Sequence, residues 1–412
     1  MLKEDKVISI ITILGTALAI TMMMVIILTQ RIKTANIGPE TNRERTMYIR
    51  FTKEVGKKIQ HVNINPVTIH FYKQYLSGLT TPERVSLVGK NQEEVCMEGS
   101  EIYHTADIKY TDATYWNIYS LSFIAGKPFT NEEFQSGIPV AVIAKSLARK
   151  LFNATNEAMG KTFIMKKKSY RVIGIVEDVP TLCYYAYSQV WIPYTSDSHF
   201  SDPNTNSYEV ILLAKNKQDF STIKSEVRRS EISNNLEQDK NEMHFFGPFS
   251  DEEKLIKENI FNTDDPDLMK ANIRYYLTLF ILLLIPAINL SGFSLFKIIN
   301  RTPEIGIRKA FGAEKKTILM QVLYENFLTS IIGGIIGLGL SCIAVTLVKD
   351  RLFSAESWGV QFVGENTIPI SAFISHIVFV YVFFACVLLN LLSSGIPAWR
   401  ASRLNIVDAI RS

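Results

Sequence analysis

The apolar positions of this chain gather into four long runs, and the segments between them carry alternating or helically spaced hydrophobics. The first run, 7–28, holds 22 residues without one charge, and about 20 suffice to cross a bilayer core as a helix. The others lie at 275–298, with Pro286 and Asn289 inside, at 327–348 and at 370–392. Proline is tolerated in a span whose neighbours satisfy the freed carbonyl, so the second is predicted to kink. Ala17-Leu18-Ala19 has the look of a signal cleavage site. The apolar run outlasts a signal's hydrophobic region, which predicts an uncleaved anchor instead.

Four spans put both termini on one side. The resulting division is an N-terminus at 1–6, transmembrane helices at 7–28, 273–298, 317–348 and 370–394, a large domain at 29–272, a loop at 299–316, a second loop at 349–369 and a tail at 395–412. Within 29–272 the patterns read as α+β. A strand at 47–51, a helix at 66–79 and a strand at 84–88 are followed much later by a strand at 208–214, a helix at 220–233 and a strand at 243–246. Two β-α-β units facing one sheet predict a ferredoxin-like layer. An insertion at about 102–205 has strands of its own at 140–143, 162–165 and 170–176, and Lys166-Lys167-Lys168 fits a hairpin turn there, with a basic docking point as the sharper alternative.

Of the 412 residues, 47% are hydrophobic and 20% charged, which excludes a disordered chain and a disulfide-stapled mini-protein. The net charge of +4 is too small to argue for nucleic acid, and none is expected as a partner. Its distribution is informative. The loop at 297–316 has six basic and two acidic residues and the tail three and one, whereas 29–272 has 30 and 31. Lys and Arg in short segments resist translocation, so the termini and the basic loop are predicted to be cytoplasmic and the large domain external. Cys96 and Cys183 are the only cysteines of that domain, and no spacing motif supports a bridge between them.

No catalytic constellation emerges. The six histidines are scattered, and Gly160-Lys161-Thr162 imitates the end of a phosphate-binding loop but has Thr155 where the motif needs glycine. His376 falls near the outer end of span four, and Glu325 lies in an amphipathic approach to span three. Both read as interfacial or structural polar groups. No metal or cofactor is expected on this chain.

The basic loop is more specific. Thr302, Pro303 and Glu304 make a helix start, with a capping hydroxyl, proline at the first position and an acid in the first turn. Ile307, Ala310 and Phe311 fall on one apolar face, Arg308 and Lys309 elsewhere, and Gly312 suits a left-handed cap. Such a helix fits a groove on a cytoplasmic partner or the inner membrane surface, and the pattern leaves both open. In span three the Gly333 and Gly337 spacing lets two helix backbones approach closely, inside the chain or across a dimer.

Asn289-Leu290-Ser291-Gly292-Phe293-Ser294, then Arg301-Thr302-Pro303-Glu304-Ile305-Gly306-Ile307-Arg308-Lys309-Ala310-Phe311-Gly312-Ala313, and the tail Ile396-Pro397-Ala398-Trp399-Arg400-Ala401-Ser402-Arg403, resemble the FtsX-like permease domain of ABC transporters. Pro139-Val140-Ala141-Val142-Ile143 and Val172-Ile173-Gly174-Ile175-Val176-Glu177-Asp178-Val179-Pro180 are similar to the MacB-type periplasmic core domain. The resemblance implies a four-span permease subunit of the bacterial inner membrane. It implies pairing with a second permease, as homo- or heterodimer, and with separate ATP-binding subunits that hold ATP and Mg. It also implies a periplasmic adaptor or effector, ferredoxin-like porter and sabre-like subdomains, and mechanotransmission from the helix at 303–311 outward. The MacB relatives carry a fused ATPase absent here, so macrolide export does not follow from the likeness. The alternative function is a non-transporting transducer or scaffold that regulates an external partner.

Overall fold

The computed structural model describes residues 6–56, 62–153, 155, 157–197, 208–237, 241–256, 267–300 and 302–352, then 379–385, 387, 388, 391, 392, 395 and 399. Most of the fourth predicted span, the loop beyond Leu352, His376 and the tail residues Pro397, Arg400 and Arg403 therefore lie outside the described residues.

Helix α1 covers Lys6–Thr34. After it come β1 (Thr46–Ile49), β2 (Phe51–Gly56), β3 (Val62–Pro66), α2 (Ile69–Phe71), which widens into a π-type turn at Tyr72–Leu76, and β4 (Arg84–Met97). The insertion supplies β5 (Tyr103–Thr111), α3 (Tyr115–Ile118), β6 (Phe123–Gly126), α4 (Asn131–Gln135), β7 (Val140–Ala144), α5 (Lys145–Phe152), β8 (Thr162–Met165), β9 (Lys168–Val176) and β10 (Val190–Pro193). The domain ends with β11 (Tyr208–Leu213), α6 (Phe220–Glu237), β12 (Asn241–Phe246), β13 (Phe249–Ser250) and α7 (Asp251–Ile256). Three helices follow: α8 (Leu268–Asn300), α9 (Thr302–Ala310) and α10 (Lys315–Leu352). Two compact units result, one made of residues 33–268 and the other containing α1 up to Ile32 with 269–352.

In the larger unit the order β13-β1-β11-β4, antiparallel throughout, is the order two interleaved β-α-β units produce. The closing strand differs from expectation. The segment 243–246 is part of β12, which pairs with β2 in a separate three-stranded sheet, and β13 closes the main sheet. The switch occurs at Gly247, whose φ of +114° favours glycine and where a Cβ would lie 2.6 Å from the Tyr48 carbonyl oxygen.

The insertion is not a separate layer. The 14-residue β4 pairs with β11 through its first half, with β5 from Gly89 to Cys96, and with β8 at its end. From β5 the ladder runs through β10, β7, β9 and β8 back to β4, so six strands close into a barrel. Val95, Ile108, Ile143, Phe163, Val172 and Ile192, one from each strand, share its buried core. Helix α5 packs against β4, β5, β7 and β9 and adds Leu147, Leu151 and Phe152 to that core. A second cluster, with Trp191, Val142, Tyr115 and Tyr185, covers the other face of the same strands. Cys96 and Cys183 are each buried free thiols.

The β8–β9 turn places Lys166 and Lys167 at φ of 49° and 62°. Two-residue turns of this hand favour Asn-Gly because non-glycine residues are strained there. Lys166 Nζ reaches Glu93 at 2.8 Å and Asp197 at 3.4 Å, and Lys168 Nζ donates to the Ser196 carbonyl at 2.5 Å. Two of the three lysines are thus used internally, and only Lys167 stands clear of such a role. Lys167→Gly is expected to stabilise the domain by about 1 kcal/mol, read as a Tm rise of a few degrees; an unchanged or lower Tm would show that the turn is not strained.

In the second unit, residues 315–347 of α10 form a helix long and apolar enough to cross a membrane, and α1 carries a shorter apolar stretch at 13–28. Helix α8 continues through Pro286. Where α10 meets α1, a Cβ on Gly333 would lie 2.9 Å from Thr16 Cβ, and one on Gly337 would lie 2.7 Å from the Ala17 carbonyl oxygen. Thr21 Oγ1 lies 3.1 Å from the Gly337 carbonyl oxygen. The glycine pair therefore faces another helix of the same chain.

Candidate coupling site

Helix α9 begins at Thr302, with Glu304 in its first turn, and ends before Gly312 at φ +87°. The Phe311 N–H donates to the Ile307 carbonyl at 3.1 Å and the Ala313 N–H to the Arg308 carbonyl at 3.0 Å, which turns the chain directly into α10. The helix is fastened by a residue the periodicity argument passed over. Ile305, 8% exposed, packs on Ile318, 5% exposed, with Ala313, Leu319 and Val322 around them. Two isoleucines flanking a Gly-containing turn at helical spacing were the available signal. Arg308 does not project freely: its Nη1 donates to Gln321 Oε1 at 2.8 Å. Glu304 and Ala310 are exposed.

The predicted stripe is left bare. Ile307 is 52% and Phe311 89% exposed, one helical turn apart. A phenylalanine at that exposure is costly in water and suited to a hydrophobic pocket. Trp399, the one described residue of the predicted tail set, is half exposed.

Sequence patterns missed the polar interior of the larger unit altogether. Lys90 on β4 and Lys109 on β5 are cross-strand partners. Lys109 is fully buried and its Nζ donates to the carbonyls of Tyr184 at 3.2 Å and Tyr185 at 2.5 Å. Lys90 Nζ sits 3.7 Å from the centre of the Tyr184 ring. Burial and then the neighbouring Lys109 charge lower Lys90 to about 6, against the pull of Glu209 and Asp107. Burial lowers Lys109 to about 7, although Glu40, Glu209 and Asp107 oppose it. Among the described residues no group of His, Cys, Asp and Glu is arranged to hold a metal ion.

The chain thus carries a helix long and apolar enough to cross a membrane, a short exposed helix before it, and a ferredoxin-like domain with an inserted barrel, the makeup of a membrane protein with a large α+β domain. The MacB-like periplasmic core domain matches residues 9–230 and the FtsX-like permease C-terminal domain residues 276–406. The chain belongs to this MacB/FtsX-like family of ABC transporter permeases. It is 30% identical over 316 residues to the macrolide export ATP-binding/permease protein MacB of Neisseria meningitidis, covering 74% of this chain and 43% of that one. To MacB of Escherichia coli K12 it is 26% identical over 300 residues, 72% and 42% of the two chains. The chain thus spans less than half the length of these relatives. The periplasmic region of MacB from Actinobacillus actinomycetemcomitans is similar at a TM-score of 0.39 and 15% identity, over 52% of this chain and 94% of that one. The extracellular domain of the noncanonic ABC-type transporter YknZ from Gram-positive bacteria is similar at 0.37 and 17%, over 48% and 100%.

Proposed function

We propose that this chain is the permease subunit of a MacB/FtsX-type ABC transporter. In this reading it has four spans in the bacterial inner membrane, both termini in the cytoplasm and the 29–272 domain outside. ATP and Mg bind a separate ATP-binding subunit, a second permease completes the membrane part, and the external domain moves in response to hydrolysis, acting on an adaptor or effector. The observation that carries it is the mounting of α9. Ile305–Ile318 packing and the Arg308–Gln321 hydrogen bond fix the helix to the start of α10, while Ile307 and Phe311 remain bare. A push on the bare face is thereby delivered to a helix whose 38 residues reach about 57 Å at ~1.5 Å each, longer than a bilayer core.

The test is purification of the full chain from its native membranes with and without the double substitution Ile307→Ala, Phe311→Ala. The wild type is expected to bring down a protein with ATPase activity and a phosphate-binding loop, and the double variant to lose it by at least about ten-fold, as for a hot spot of two apolar anchors. Equal recovery would show that α9 is not the docking element.

A further inference from the structure

The strand order that places β13 beside β1 also sets the incoming and outgoing ends of the external domain side by side. The incoming end is 37–45, after α1; the outgoing end is 249–256, before α8. Both converge on the loop 182–187, which leads into barrel strand β10. Glu40, 1% exposed, accepts the Tyr185 and Ala186 N–H groups on one oxygen, both at 2.8 Å, and Arg43 Nε on the other at 2.5 Å. Arg43 Nη2 donates to the Leu182 carbonyl at 2.7 Å, and its Nε lies 4.0 Å from Asp251 on α7. Asp251 in turn binds Lys254 at 2.6 Å, and Lys254 Nζ lies 3.3 Å from the Tyr185 hydroxyl and 3.8 Å from the centre of the Tyr48 ring. The Tyr48 and Tyr185 rings stack at 3.8 Å.

We propose that the buried Glu40–Arg43 pair is a joint that fastens both connectors, 37–45 and 249–256, to the loop 182–187, so that all three move as one body. The planar guanidinium is suited to this: Nε donates to Glu40 and Nη2 to the Leu182 carbonyl, while Asp251, at 4.0 Å, is held by charge alone. Glu40 comes from the incoming connector, Asp251 from the outgoing one and the Leu182 carbonyl from the barrel. Lys109 and the Tyr115 hydroxyl contact the Tyr184, Tyr185 and Ala186 carbonyls from the sheet side, so the loop cannot follow the connectors without carrying β10 with it. What drives the joint rests on the permease reading; the tie itself belongs to this chain alone.

The experiment is hydrogen exchange on the full chain in lipid nanodiscs, comparing wild type with Arg43→Met and, as control, Lys217→Ala, which removes only a surface pair with Glu252 on the same α7. Arg43→Met is expected to speed exchange at least about ten-fold in both 182–187 and 249–256 while 168–176 in the barrel is unchanged, and Lys217→Ala to leave 182–187 as it was. Acceleration confined to 182–187, or equal effects from the control, would overturn the joint. If Arg43→Met deprotects the barrel as well, Glu40→Gln decides, since its carbonyl oxygen still accepts the two loop amides but its NH2 cannot accept from Arg43. Faster exchange at 249–256 in Glu40→Gln supports the joint, and none overturns it. Because no partner is present, loss of the tie would leave the permease assignment standing, and failure to recruit an ATP-binding subunit would leave the tie standing.

Discussion

Gly337→Leu is expected to break the packing of α1 on α10, whereas Gly339→Leu, two residues away, is expected to be tolerated. At Gly337 a Cβ would meet the Ala17 carbonyl oxygen at 2.7 Å and Ile20 Cβ at 3.0 Å; at Gly339 nothing lies within 4 Å. The first obstacle is backbone, which cannot turn aside as a flexible side chain can. Relief requires the helices to separate, and close van der Waals contact is what holds helices together in lipid, where burial from water contributes nothing between them. Overpacking of this kind costs about 3 kcal/mol or more. The measurement is the fraction of full chain that stays monodisperse in detergent after a heating series. A large downward shift for Gly337→Leu with Gly339→Leu near wild type is the expected pair of results; equal behaviour of the two would mean that α1 does not seat on this face of α10.

The second large effect is a pH dependence set in the external domain. Lys90 at about 6 and Lys109 at about 7 lie below the ordinary lysine value of 10.5. Their unfolded forms therefore bind protons that the folded forms do not, from those folded values up to about 10.5. By linkage, stability rises with pH through that window, by up to about 1.4 kcal/mol per unit for each lysine. Other groups bound the useful range. Asp112, raised to about 6 by burial although the Ser86 hydroxyl and the Leu87 and Tyr115 N–H groups it accepts from lower it, pulls the opposite way only below pH 6. Cys183, raised to about 12 first by burial, pulls the opposite way only above about pH 9. Between pH 7 and 9 the Tm of the full chain, followed by tryptophan fluorescence, is expected to rise. Lys90→Met is expected to be more stable at pH 7 by about 2 kcal/mol, since folding no longer has to strip a proton from this lysine and a side chain of similar volume takes its place, and its Tm should climb less steeply. A Lys90→Met slope equal to wild type would show that this lysine keeps its charge in the folded domain.

The elements that could be read from the chain are those whose periodicity reflects one dominant environment. The β-α-β repeats were visible because β1 and β11 are apolar runs buried on both faces, Met47 and Val210 in one core and Tyr48 and Ile211 in the other, and α6 buries Ile223 and Val227 along one face. The closing strand was misplaced because β12 is as apolar as β13 and far longer; only the turn at Gly247 decides which sheet each joins. The barrel was hidden because closure depends on β8 returning to β4, a pairing across 66 to 70 residues that leaves no local pattern. At α9, capping chemistry gave the boundaries, but the anchoring of Ile305 on Ile318 and of Arg308 on Gln321 could not be read because both partners lie beyond the turn. Buried lysines and the Glu40–Arg43 pair were the least legible features, since charge in a sequence reads as surface until a fold encloses it.

The fact that β4 belongs to both the open sheet and the barrel has a consequence for how such domains diversify. The insertion cannot be lifted out as a cassette: β5 and β8 both pair with β4, so removing it strips that strand of both partners along its second half and leaves unpaired edges. Relatives that differ in the size of this region would have to gain or lose chain at turns such as β4–β5 and β8–β9, outside the ring, leaving the six-strand closure as the fixed frame on which new recognition surfaces are grown.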